Sequence, residues 1–140
     1  MALSVESDRP GSGRKGRSLL RSPLARAAVW SGLMIAGSSI PRLPAAPPPL
    51  LHYDKVLHLI EYGVFAWLWG DVVRGAARAR LRRYAFAIVV CGGFLWGALD
   101  EVYQGTRGRS RDIHDWMADA VAIVAAQSIQ ERRRSKRRTV

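Results

Sequence analysis

The chain has 140 residues, room for one domain, and carries 22 Lys+Arg against 11 Asp+Glu for a net charge of +11. Such a balance points first to nucleic acid, but the basic residues stand in blocks between apolar stretches instead of being interleaved with aromatics, so no nucleic-acid partner is expected. The lone cysteine, Cys91, excludes an intramolecular disulfide and sits in an apolar run as a packing residue.

Residues 1 to 23 are rich in Ser, Gly and Arg and hold too little apolar surface to fold alone, which predicts a flexible basic tail. From Leu24 to Ile40 runs LARAAVWSGLMIAGSSI, near the lower length limit for crossing a hydrocarbon core of roughly 30 Å. The prolines of PRLPAAPPPLLHY then predict an extended connector. A second apolar run, Lys55 to about Val73, carries His58 and Glu61 in its first turns. After the short basic stretch RGAARARLRR, the third run, Tyr84 to Leu99, has no charge at all. Asp100 to His114 is polar, Asp115 to Ile129 is apolar after its first turn, and residues 131–140 read as a second basic tail. The first run also fits a cleavable signal peptide, although a tail of more than twenty residues is long for one. A soluble bundle would show a charged face on each helix, which the third run lacks.

Positive charge accumulates on cytoplasmic loops, and 17 of the 22 Lys and Arg fall in the N-terminal block, the 74–83 stretch and the C-terminal block. An even number of spans with both ends inside places all three blocks on one side. The expected fold is therefore all-α: a polytopic membrane protein of about four transmembrane helices, both termini cytoplasmic, with residues 24–130 as its membrane domain. The expected location is the bacterial inner membrane. The tryptophans fall mostly near the expected span ends, where aromatic belts sit.

In that topology seven of the eleven acidic residues gather toward the outer face. Asp54, His58, Glu61 and Tyr62 line one helical face at the outer end of span two. Asp100, with Glu101 beside it, and Gln104 stand at the outer end of span three, and Asp112, Asp115 and Asp119 repeat at i, i+3, i+7 entering span four. A charge inside the bilayer costs at least ~2.5 kcal/mol on insertion scales, so these groups are expected to face the bundle interior and pair. Lys55, Arg107, Arg109 and Arg111 supply cations, with Arg109 expected at the centre.

The segments DKVLHLIEYGVFAWL and DEVYQGTRGRSRDIHDWMADAVA, bracketing residues 54 to 122, resemble the two signature regions of the VanZ-like family of small bacterial multi-pass membrane proteins, named for a teicoplanin-resistance accessory protein. Asp54, Lys55, His58, Tyr62, Asp100, Glu101, Gln104, Gly108, Arg109, Asp115 and Asp119 carry the resemblance. It implies an inner-membrane protein with an envelope-linked role. Where the family commonly has Pro-Gly-Arg this chain has Arg107-Gly108-Arg109, and where it often has Asn this chain has Asp119.

Three readings of the cluster stay open. It binds the polar end of an envelope lipid, a lipid-linked cell-wall precursor or a glycopeptide, with arginine forks suited to phosphate or carboxylate. Alternatively it is an enzyme site acting on a lipid headgroup, with Glu61, His58 or the Asp115/Asp119 pair as acid and base or on a divalent metal. No tight motif such as H-E-x-x-H supports catalysis, and no cofactor or metal is expected. In the third reading the polar residues fix helix register only.

Overall fold

The computed structural model describes residues 21–40, 49–108 and 113–138, and every regular element among them is a helix. In chain order these are α1 (Pro23–Ser38), α2 (Pro49–Arg74), α3 (Ala79–Arg83), α4 (Ala85–Thr106) and α5 (Ile113–Arg138). Ser22 caps α1 by accepting from the Ala25 N–H, with Pro23 at the first helical position, where a missing N–H costs nothing.

Three boundaries differ from the sequence expectation. Within the proline-rich connector, Pro49 to Tyr53 already belong to α2, because proline fits the first turn of a helix. α4 continues seven residues past Leu99, since nothing between Asp100 and Thr106 breaks a helix; it ends where Gly108 takes φ 77°, the left-handed closure that glycine permits after a C-cap. The basic segment after Gln130, expected as a tail, continues α5 to Arg138. The expectations for residues 1–20, the prolines of 41–48, and Arg109, Arg111 and Asp112 lie outside the described residues, as does the side chain of Asp54.

α2 is the hub, packing on α1, α4 and most extensively α5. Lys55 meets Asp115, His58 meets Asp119 and Arg74 meets Gln127 and Gln130, so α2 and α5 run parallel. Tyr62 meets Asp100 and Phe65 stacks on Trp96, so α4 runs antiparallel to both. The apolar middle is Tyr62, Phe65, Ala66, Val89, Ile123 and Ala126, flanked by Trp30, Trp69 and Trp96. Three tryptophans stitch neighbouring helices together. Trp30 Nε1 donates to the Glu61 carbonyl (3.0 Å), Trp69 Nε1 to Ser31 Oγ (3.2 Å) and Trp116 Nε1 to the Phe94 carbonyl (3.3 Å).

The distribution of polarity is inverted relative to a water-soluble bundle. Ser31, His58, Arg74, Gln104, Asp115, Asp119, Gln127 and Gln130 are buried, while Leu33, Val56, Ile60, Leu95, Leu99, Met117 and Val121 are exposed. Two helical segments, Lys55–Arg74 and Ala85–Thr106, are long and apolar enough to cross a membrane. α1, with 16 residues, spans about 24 Å at 1.5 Å per residue, short of a hydrocarbon core of roughly 30 Å. The apolar part of α5 is interrupted by Asp119 and gives way to the basic run after Gln130.

Close approach of α4 and α5 depends on one glycine of the Gly92-Gly93 pair. A methyl at Gly93 would stand 2.9 Å from Ile123 Cδ1, whereas one at Gly92 would meet nothing within 4 Å. Gly93→Ala is expected to cost about 1–3 kcal/mol through overpacking, with Ile123→Val restoring the loss and Gly92→Ala neutral. Denaturant midpoints in mild detergent check all three.

Candidate functional site

At one end of the bundle the first turns of α2 and α5 and the last turns of α1 and α4 converge. Helical spacing brings His58 and Tyr62, four residues apart, onto the face of α2 that looks at α4 and α5, and their rings stack with centroids 6.2 Å apart. His58 Nδ1 lies 2.9 Å from Asp119 Oδ1, a bond that requires one proton between them; both side chains are almost wholly buried. Lys55 Nζ donates to Asp115 Oδ1 at 3.0 Å, with the lysine side chain 42% exposed and the aspartate 9%. The pair therefore sits at the mouth of the cluster and the His58–Asp119 pair beneath it.

Asp100 closes the other side. Its Oδ2 accepts from Tyr62 Oη (3.3 Å) and from Gln104 Nε2 (2.7 Å), and the same amide donates toward Ser38 Oγ at 3.5 Å. Ser39 Oγ and Tyr103 Oη are 2.8 Å apart, and Arg107 donates to the Ser39 carbonyl at 3.4 Å, so α1 is tied to α4 at this level. Next to Asp100, Ile35, Trp96, Leu99 and Tyr103 form a largely apolar groove of about 200 Å3.

Lys55, His58, Tyr62, Asp100, Gln104, Asp115 and Asp119, all expected as site residues, thus share one connected neighbourhood. Glu61 is half-buried and contributes its carbonyl to Trp30, and Glu101 is half-buried on α4. Asp54 belongs to α2, and the expected central cation, Arg109, lies outside the described residues. Among the described groups Lys55 pairs with Asp115 and His58 with Asp119, while Asp100 accepts from the neutral Tyr62 and Gln104. Asp119 Oδ2 is buried and makes no hydrogen bond among the described residues. No three His, Cys, Asp or Glu side chains among the described residues are arranged to hold a metal ion.

A second polar node, unforeseen from sequence, lies at the opposite end, about 24 Å further along α2 by helical rise. Arg74, 6% exposed, donates from Nη1 to Gln127 Oε1 (2.8 Å) and Gln130 Oε1 (2.6 Å), and from Nη2 to Glu131 Oε2 (3.3 Å). Gln127 Nε2 donates to the Ala66 carbonyl at 2.6 Å, and Gln130 Nε2 to the Trp67 carbonyl (3.0 Å) and Asp71 Oδ1 (3.1 Å). The signal was there in two amides three apart within an apolar run, a spacing that puts both on one helical face. Arg74 itself opens the basic stretch that the sequence assigns to the cytoplasmic side.

Compared with known proteins, the chain matches no protein-family model, no curated protein and no solved structure.

Proposed function

We propose that this chain is a VanZ-like multi-pass inner-membrane protein whose outer-end cluster binds the polar end of an envelope amphiphile, a lipid or lipid-linked precursor, with the tail in the adjoining groove. The observation that carries the reading is the contact of that apolar groove with Asp100, a carboxylate wired to Tyr62 and Gln104. An amphiphile needs such a junction of apolar wall and hydrogen-bonding end. Asp100 and the buried acceptor Asp119 Oδ2 favour a headgroup that carries hydroxyl or amine donors. Four spans with both ends cytoplasmic suit the inverted polarity of the helices and the parallel α2–α5 pair, because alternate spans of such a bundle run in the same direction.

A second reading, a register-fixing cluster without a ligand, is favoured by the number of polar groups that already have partners inside the protein. A photocrosslinking residue in place of Leu99, on the groove wall, separates the two in intact cells. The expected product is one envelope amphiphile, enriched far above its share of the membrane and lost in Asp100→Asn at unchanged protein abundance. Crosslinking only to bulk phospholipid in proportion to its abundance would leave the structural reading standing.

A further inference from the structure

The end of the bundle that carries Arg74 holds a feature the outer cluster does not use. The helical extension of α5 presents Arg133, Arg134 and Arg137, which with Trp67, Asp71 and Gln130 line a cavity of about 270 Å3. Beside it Arg82, Arg83 and again Arg134 line a second cavity, of about 480 Å3, with Ala79, Glu131 and Ser135. Arg134 belongs to both. Arg133 stacks over Trp67, its guanidinium carbon 5.2 Å from the ring centroid, and Arg83 over Tyr84 at 5.6 Å. Arg82 Nη1 donates to the carbonyls of Ala76 and Ala77 at 2.9 and 2.8 Å, which fixes the turn between α2 and α3. The two lining carboxylates are already engaged, Asp71 by Gln130 and Glu131 by Arg74.

Position narrows the ligand. Both apolar segments, Lys55–Arg74 and Ala85–Thr106, have an end here, and α3 joins them with exposed Leu81 between arginines. The cavities therefore stand where hydrocarbon gives way to headgroups, and arginine forks bind phosphate oxygens in pairs.

We propose that these adjoining cavities form a binding site for an anionic phospholipid whose headgroup carries two phosphates, one per cavity, bridged by Arg134. The site rests on the membrane reading above and, in the four-span topology, faces the inner leaflet. It is independent of what the outer cluster binds.

The test uses the full chain in nanodiscs of zwitterionic lipid doped with a two-phosphate lipid or, at matched total charge, a one-phosphate lipid, with retained lipid counted by mass spectrometry after mild detergent extraction. The two-phosphate lipid is expected to be retained preferentially. The variant Arg133→Gln/Arg134→Gln/Arg137→Gln is expected to lose on the order of a thousand-fold in retention, the general attraction of three charges together with the paired phosphate contacts. Arg78→Gln/Arg80→Gln/Arg132→Gln, equal in charge but lining neither cavity, is expected to lose on the order of a hundred-fold or less by general attraction alone. Equal losses in the two triple variants, or equal retention of the two lipids, would overturn the site in favour of unspecific surface charge. Displacement by inorganic pyrophosphate at low millimolar concentration would reassign it to a soluble phosphate. Nanodiscs expose both faces, so retention is read independently of sidedness; labelling of Ser135→Cys from outside intact cells would overturn the inner-leaflet topology separately.

Discussion

Asp119→Ala is expected to cost about 3–5 kcal/mol of stability, the loss seen when one partner of a buried charged pair is removed, and to leave little folded protein in detergent. The reason is the place of Asp119: it is 1% exposed, and His58 opposite it is itself buried. An ordinary interhelical hydrogen bond in a membrane is worth only about 0.6 kcal/mol on average, so the size of the loss reports whether the pair is ionic. Asp119→Asn keeps an oxygen where His58 Nδ1 bonds, and is expected to cost about 1 kcal/mol, the net value of one hydrogen bond. A double-mutant cycle with His58→Ala gives the coupling. Additive single losses would show that the 2.9 Å contact contributes nothing of its own.

Gly70→Ala is expected to damage the opposite end as well. A methyl there would collide with Gln130 Oε1 and come within 2.6 Å of Arg74 Nη1 and 2.8 Å of Gln127 Nε2. Each of these is the end of a flexible side chain, so the steric part is small. The cost arises because moving them strands a buried guanidinium, at about 1–3 kcal/mol for each group left unsatisfied. Gln130→Ala is expected to cost about as much as Gly70→Ala, and the double variant little more than either, since both break the same node. Unfolding midpoints in mild detergent measure this, and fully additive losses would mean that the glycine matters for another reason.

How much of this was legible in the sequence depended on contrast. His58, Asp115 and Asp119 are ionisable groups set among apolar neighbours, so the cost of exposing them to hydrocarbon already directs them inward, and helical spacing assigns their faces. Lys55 was counted among the available cations, and the structure pairs it with Asp115. Arg74 was hidden for the opposite reason. It opens a run of arginines, where a charge reads as topology, and only its packing against Gln127 and Gln130 distinguishes it from Arg78 or Arg80. The reach of α4 to Thr106 was equally hard to see, because the polar residues Asp100, Glu101 and Gln104 look like a loop until Gly108 is recognised as the stop. Trp30, Trp69 and Trp116 also bridge helices, which the sequence does not reveal, since an indole N–H among helices satisfies itself on a neighbouring carbonyl or hydroxyl.

The parallel pairing of α2 with α5 also bears on the order in which the molecule is made. α5 is synthesised after α2, yet it supplies the carboxylates for Lys55 and His58 and the amides for Arg74. Until it arrives, a nascent chain carries α2 with three cationic or protonatable side chains deprived of their final partners. A chain truncated before residue 113 would therefore lack the groups that α5 supplies to Lys55, His58 and Arg74.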